Sequence, residues 1–184
     1  MSFKFNDENL KKAKNILKKY PHDRSKSAVM PLLDLAQRQN KNYISKDVIA
    51  YLSDFIKLPE IKIYEVASFY SMYNLKPIGT YLIQVCGTTP CMLRGAKDIL
   101  KACEEEANCK LNETSEDNLF TIKEVECLGA CVNAPMVQIN DDYYEDLDEQ
   151  IVKRIIRDLK EGKKVKIGSQ KGRQCSAPME GELF

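Results

Sequence analysis

The spacing of hydrophobic residues changes near residue 79 and divides the chain into two kinds of structure. Upstream of this point, apolar residues recur every three to four positions, which places them on one face of an α-helix. Ser45 precedes the third of four such runs and is a good helix N-cap. We predict a helical domain over residues 1–78. Its helices follow the four runs: Leu10–Tyr20, Ser27–Asn40, Lys46–Leu58 and Val66–Tyr73.

Downstream of Gly79, short β-rich runs alternate with runs at helical spacing. The order is strand, helix, strand, hairpin and helix: Thr80–Val85, Leu93–Ala107, Leu119–Glu126, Met136–Tyr144 and Leu147–Leu159. Gly162 is expected to end the last helix. This order is thioredoxin-like and fits a mixed sheet with helices packed on it. We therefore predict an α+β protein. Its helical bundle is followed by a thioredoxin-like α/β domain over residues 79–162 and an extended tail over residues 163–184.

Charge and cysteine counts exclude several classes of function. Lys and Arg number 28 against 27 Asp and Glu, and this balance gives no reason to expect nucleic acid or direct membrane insertion. The seven cysteines cannot all pair as disulfides within one chain. Because the N-terminus resembles neither a signal peptide nor a transit peptide, we expect a reducing compartment. Cysteine clusters there more often indicate metal binding or catalysis than structural disulfides.

Four cysteines form two pairs, and each pair starts where a predicted strand ends. Four residues separate Cys86 from Cys91, and three separate Cys127 from Cys131. Loops beyond strand ends collect sites in α/β sheets, so two such loops can deliver four thiolates to one place. Structural zinc usually takes Cys-x2-Cys knuckles, and the wider spacings here favour a 2Fe–2S cluster. Zinc and thiol redox chemistry remain the alternatives, although no Cys-x-x-Cys motif is present.

A 2Fe–2S cluster held by four thiolates would be an anion, and the sequence offers groups that favour one. Its formal charge is about −2 when oxidised and about −3 when reduced. A helix is expected directly after Cys91, and its N-terminal dipole favours negative charge. Arg94 in its first turn either adds positive charge or is a solvated surface residue.

No other cysteine, histidine or sequence motif in the chain indicates a catalytic residue. Cys103 lies on the apolar stripe of its helix and is expected to be a core thiol, while Cys109 and Cys175 have no assigned role. His22 is expected to be a loop residue. The chain contains no Gly-x-Gly fingerprint, His-Glu-x-x-His or Gly-x-Ser-x-Gly motif. A cluster without a substrate site implies a subunit that works against another protein.

Four segments resemble the thioredoxin-like 2Fe–2S subunit family of respiratory complex I, the bacterial NuoE type. These specific segments are Ser27–Gln37, Tyr64–Pro77, Glu126–Met136 and Asn140–Glu145. The resemblance as a whole extends over nearly all of residues 10–181. The resemblance implies that Cys86, Cys91, Cys127 and Cys131 bind one 2Fe–2S cluster. In thioredoxin-like folds a cis-proline precedes the third strand, so we also predict a cis Ala134–Pro135 bond.

The resemblance further implies a partner. This is the NuoF-type subunit of NADH:quinone oxidoreductase, which binds NADH, FMN and a 4Fe–4S cluster and whose FMN exchanges electrons with the 2Fe–2S cluster. The helical domain and the tail would clamp that subunit, and this chain alone would hold no complete active site. The expected location is the cytoplasmic side of a bacterial inner membrane, or the matrix side in an organelle. Equivalent subunits of NAD-linked hydrogenases or formate dehydrogenases are the alternative, as is a zinc-stabilised interaction module.

Overall fold

The computed structural model describes residues 3–176. The chain divides into two compact units after Ile78. The first unit is helical, with a 3₁₀ segment at His22–Ala28 and four α-helices: α1 Asp7–Leu17, α2 Val29–Gln39, α3 Lys46–Ile56 and α4 Glu60–Phe69. Ser45 caps α3 as predicted, because its hydroxyl accepts a hydrogen bond from Val48 N at 3.3 Å.

The fourth helix begins earlier than predicted, at Glu60, and also ends earlier. It ends at Phe69, and Tyr70 has an extended backbone with φ −90° and ψ 117°. Tyr73 is buried outside the helix, where its hydroxyl donates to the Met30 carbonyl at 2.8 Å. The spacing of apolar residues did not reveal this end, because Tyr73 fits the helical spacing but is buried through a tertiary hydrogen bond outside the helix.

The core of the first unit lies between α2, α3 and α4. Fully buried leucine, valine and isoleucine side chains from all three helices meet there: Leu32, Leu33, Val48, Leu52 and Ile63. Burying each such side chain contributes about 1.5–3 kcal/mol. This unit therefore has a hydrophobic core of its own, and it contains no cysteine.

The second unit is built on a five-stranded mixed sheet in the order β2-β1-β3-β4-β5. The strands are β1 Tyr81–Cys86, β2 Phe120–Val125, β3 Val137–Ile139, β4 Asp142–Glu145 and β5 Gly168–Ser169. β1 and β2 run parallel, whereas β3 is antiparallel to β1 and forms the predicted hairpin with β4. The predicted α+β fold with a thioredoxin-like order of elements is confirmed.

Helices cover this sheet and complete its core. They are α5 Thr89–Leu93, α6 Ala96–Ala107 and α7 Glu149–Lys160. One helix was predicted from Leu93 to Ala107, but Gly95 has a φ of +95° and separates α5 from α6. Gly162 follows α7 with a φ of +71°, as expected for a residue just beyond a helix C-cap.

The region predicted as an extended tail contributes the edge strand β5. This strand pairs in parallel with β4, and Gln170 N then donates to the Glu145 carbonyl at 3.0 Å. A two-residue strand is too short to give a period in the sequence. The last part of the predicted tail, residues 177–184, lies outside the described residues. Within residues 3–176, no helix combines the length and the apolar character needed to cross a membrane.

Candidate metal centre

Strand pairing brings the two cysteine loops to one edge of the sheet. Cys86, the last residue of β1, pairs with Val125, the last residue of the parallel strand β2. Cys127 therefore follows only two residues beyond the partner of Cys86. β3 runs in the opposite direction, so the segment from Cys131 that leads into it also lies at this edge. The parallel register thus places the four predicted ligands together.

The thiols approach one another as two pairs. Cys127 Sγ and Cys131 Sγ are 3.5 Å apart, and the Cys86 and Cys91 thiols are near enough to shift each other's pKa. A metal–thiolate bond of about 2.3 Å places two sulfurs of one tetrahedral metal roughly 3.7 Å apart. The spacing of the exposed pair fits two thiolates on one metal. None of these four cysteines forms a disulfide.

The two pairs are neighbours, but each is a separate pair of donors. The Cys91 and Cys131 thiols, which belong to different pairs, interact electrostatically, as do Cys86 and Cys127. Within residues 3–176, no three His, Cys, Asp or Glu side chains are placed to hold one ion. A structural zinc needs four donors around one point. Two neighbouring pairs of thiols provide four sulfur donors, one pair for each iron of a two-iron cluster.

Burial differs between the two pairs. Cys86 and Cys91 are 2% and 1% exposed, and they pack in a small apolar cluster with Ala96 and Met136. Cys127 and Cys131 are exposed. One side of the candidate centre is therefore dry and the other faces the surface.

Hydrogen bonds favour the thiolate form at one cysteine of each pair. Burial raises the pKa of Cys86, but donors from Thr88 and the backbone of Leu128 outweigh it and lower this pKa overall. Burial and the neighbouring Cys86 raise the pKa of Cys91 to about 12. The Gly129 N–H, 3.4 Å from the sulfur, lowers the pKa of Cys127, whereas the hydrogen bond with Cys127 raises the pKa of Cys131.

The helix N-terminus predicted directly after Cys91 is not there, and Arg94 matches the alternative of a surface residue. Cys91 lies inside the five-residue helix α5, and the long helix α6 begins only at Ala96. Arg94 is exposed at the C-terminal end of α5. The donors that lower cysteine pKa values come instead from the Thr88 side chain and from backbone N–H groups of the loops. Gly95 is the reason, because it ends α5 before a long helix can start.

The hairpin holds the second cysteine loop at both ends, which the sequence did not indicate. Tyr143 donates its hydroxyl hydrogen to the Leu128 carbonyl at 2.7 Å. Asn133 donates its side-chain N–H to Asp146 at 3.0 Å. No motif could have revealed these contacts, since each joins residues more than ten positions apart. The Ala134–Pro135 bond in this loop is cis, which confirms that prediction.

The remaining cysteines and the histidine occupy other positions in the fold. Cys103 is fully buried in the main core of the second unit, which confirms it as a core thiol, and Cys109 lies in the same core. Cys175 is partly buried. His22 is exposed and begins the 3₁₀ segment, so it is not in a plain loop.

The sheet order and the cysteine pairs at its edge define a thioredoxin-like protein with a centre suited to two irons. The chain belongs to the thioredoxin-like [2Fe-2S] ferredoxin family, whose model matches residues 13–160. This membership confirms the family resemblance seen in the sequence and supports a 2Fe–2S cluster as the cofactor.

Two relatives are similar over most of the chain. The chain is 55% identical over 155 residues to the E subunit of NADH-quinone oxidoreductase from Rickettsia felis, covering 84% of this chain and 93% of that protein. It is 47% identical over 180 residues to "NADH dehydrogenase [ubiquinone] flavoprotein 2, mitochondrial" of Dictyostelium discoideum, covering 98% of this chain and 73% of the relative. Both relatives are therefore matched over most of their own length as well.

A solved structure shares the fold. It is the NAD+-reducing [NiFe]-hydrogenase in its air-oxidized state, with a TM-score of 0.62 and 21% sequence identity. The match covers 71% of this chain and 23% of that chain, so this protein spans under a quarter of the hydrogenase chain. At this identity the likeness shows the fold alone.

Proposed function

We propose that this chain is the 2Fe–2S electron-transfer subunit of an NADH:quinone oxidoreductase, respiratory complex I. Its cluster is held by Cys86, Cys91, Cys127 and Cys131 and exchanges single electrons with the FMN of an NADH-binding partner subunit. The observation that carries the proposal is the meeting of two cysteine pairs at one sheet edge, with the exposed sulfurs 3.5 Å apart. The two relatives support the complex I setting.

When bound, the cluster would supply one-electron chemistry, and the protein would set its surroundings. Cys86 and Cys91 would bind it from the buried side, where burial keeps water from the sulfurs. Backbone N–H groups of Leu128 and Gly129 donate toward cysteine sulfurs and favour their negative charge. The exposed pair, Cys127 and Cys131, gives the shortest route for an electron to a docked partner.

Exposed apolar side chains surround this route and support a protein partner. Leu93 is 76% exposed and lies two residues after Cys91, while Val132 is 84% exposed and lies directly after Cys131. Apolar side chains exposed beside a redox site are typical of a surface that another protein covers. The helical unit has exposed apolar residues of its own on and after α4, namely Ile61, Phe69 and Met72.

The partner that fits is the NADH- and FMN-binding subunit, which also carries a 4Fe–4S cluster in this family. Residues 1–78 and the tail beyond residue 162 would clamp that subunit. The assembled complex would place this chain in the arm on the cytoplasmic side of a bacterial inner membrane, or the matrix side in an organelle.

Metal and sulfide analysis with EPR tests the cluster. Protein purified without oxygen is expected to contain about two irons and two acid-labile sulfides per chain, and the dithionite-reduced form is expected to give a 2Fe–2S EPR signal. Stoichiometric zinc without an EPR signal would overturn the proposal in favour of a zinc-stabilised module. Thiol–disulfide exchange in iron-free protein would instead indicate a thiol oxidoreductase.

Partner docking has a separate test. Phe69→Glu, at an 80% exposed position of α4 in the unit without cysteines, should leave the EPR signal unchanged and abolish co-purification with the NADH-binding subunit, because a charge replaces an apolar contact. Lys101→Glu, at an exposed position on α6, is the control and should keep the partner. Co-purified hydrogenase or formate dehydrogenase subunits would contradict the complex I setting.

A further inference from the structure

Asp146 lies at the centre of a buried polar network next to the second cysteine loop. It follows β4, is 4% exposed and has a φ of +57°. Its Oδ2 accepts hydrogen bonds from Asn133 Nδ2 at 3.0 Å and from Ser169 Oγ at 2.6 Å. Its Oδ1 lies 3.4 Å from Arg173 Nη1. One carboxylate thus joins the cysteine loop to residues 168–176.

Asn133 connects this network to the loop through both its backbone and its side chain. It is 2% exposed and lies two residues after Cys131. Its carbonyl accepts from Asp146 N at 2.7 Å, and its Nδ2 also donates to the Gln174 carbonyl at 2.9 Å. A residue held in this way cannot shift without breaking several hydrogen bonds.

Arg173 makes the second connection. Its Nη2 donates to the carbonyl of Val132, the residue directly after Cys131, at 2.8 Å. Its own backbone N donates to Ser169 Oγ at 3.0 Å. The segment is fastened again at Ser176, whose backbone N donates to the buried Glu145 carboxylate at 3.1 Å. Part of the region predicted as an extended tail is therefore built onto the candidate metal centre.

We propose that Arg173 and Asp146 are positioning residues for the cluster, forming a latch that holds Cys131 in place through Val132 and Asn133. The proposal rests on the proposed function, because it takes Cys131 as a ligand. Groups that orient metal ligands typically change metal affinity 10–100-fold when they are removed. Arg173 also neutralises a carboxylate beside a centre that becomes more negative on reduction, so its removal disfavours the reduced form.

The test compares Arg173→Gln with Arg154→Gln in the full chain. Arg154 is exposed on α7, so its replacement makes the same change in charge without touching the latch. We expect three effects of Arg173→Gln that the control lacks. The cluster should be lost to a chelator on the order of ten-fold faster, its midpoint potential should fall, and backbone hydrogen exchange over residues 128–134 should speed up. Arg173→Lys should have a midpoint potential close to that of the parent protein, because the positive charge remains. Its cluster should still be lost faster, since one ammonium group cannot replace a guanidinium that contacts both Val132 and Asp146.

The absence of any one of these effects in Arg173→Gln would overturn the latch. Because Arg173 is half-exposed, the Arg173→Gln protein is expected to fold. Asp146→Ala removes a buried carboxylate with several hydrogen-bond partners, so it serves only as a supporting variant. Iron-free parent protein would overturn the proposed function instead. Hydrogen exchange would still test the latch in that case, because its contacts involve no metal.

Discussion

Individual cysteines of the second unit differ in burial, hydrogen bonding and pKa. Cys103 is fully buried in the main core, and burial raises its pKa to about 12. Cys109 also has a raised pKa because it is buried. Backbone donors reach the sulfurs at the sheet edge, at Cys86 and Cys127. The pKa of Cys91 is also raised, so what separates the edge cysteines from Cys103 and Cys109 is their arrangement as neighbouring pairs outside the main core.

The two kinds of cysteine should respond differently to substitution. Cys91→Ser should lose the 2Fe–2S EPR signal and most of the bound iron, because it removes a proposed ligand. Cys103→Ala, the matched control, should keep iron and signal. It should lower the free energy of unfolding by about 1 kcal/mol, since it leaves a small cavity in the core. Iron content and denaturant titration measure both effects. Equal iron in the two variants would contradict the ligand assignment.

Tyr73 gives the helical unit a dependence on alkaline pH. Burial and the nearby Asp34 carboxylate raise the pKa of its hydroxyl to about 12, from an ordinary value of 10.0. The folded state then holds this proton more tightly than the unfolded state. The stabilisation is complete below pH 10 and is lost as pH rises through about 12.

We therefore expect the parent protein to lose more stability between pH 10 and 12 than Tyr73→Phe does. At neutral pH the variant should be less stable by about 1 kcal/mol, because the hydrogen bond to the Met30 carbonyl is lost. Chemical denaturation at several pH values measures both differences. Parallel pH profiles for the two proteins would show that Tyr73 does not control this dependence.

At the scale of elements, the start of β1 depends on a close approach to the neighbouring strand. A Cβ on Gly79 would lie 2.8 Å from the Leu119 carbonyl oxygen, a backbone atom that cannot turn away. Gly79 N also donates to Thr121 Oγ1 at 2.7 Å. The parallel pairing that brings Cys86 and Cys127 to one edge begins at this contact.

Gly79→Ala should therefore destabilise the protein by about 1–3 kcal/mol, as overpacking does. Gly87→Ala is the matched control at the other end of β1. Its Cβ would clash with the Glu124 carboxylate, but that side chain is exposed and can swing into water. Thermal melts compare the two, and a melting temperature lowered more by Gly87→Ala would contradict this account.

At the scale of the whole molecule, the two units have separate cores. The helical core is built from residues before Ile78, and the sheet core and the cysteine edge come from residues after Gly79. Every cysteine belongs to the second unit. Cluster binding should therefore not require the helical unit.

A fragment of residues 79–184 should fold, bind iron and keep the EPR signal of the full chain. It should bind the partner subunit more weakly, because the exposed apolar residues on and after α4 are missing. EPR and co-purification with the partner test the two parts separately. A fragment that folds but holds no iron would contradict the independence of the second unit.

Much of this organisation could be predicted from the sequence. The strand ends at Cys86 and before Cys127, the hairpin and the Gly162 end of α7 follow from local spacing and turn residues. The break at Gly95 and the strand β5 were missed. Their causes are a single backbone conformation and a two-residue pairing with β4, neither of which produces a period.

Local patterns in the chain were enough to locate most elements and to single out four cysteines spaced as pairs, because a hydrophobic period and a cysteine spacing are properties of neighbouring residues. Three-dimensional packing was needed to establish that the two loops meet and that Cys86 and Cys91 are buried while Cys127 and Cys131 are exposed. It was needed again to show that Asp146 joins the second loop to the segment after β5. These facts depend on strand register and on hydrogen bonds between residues far apart in the chain, which no local pattern records.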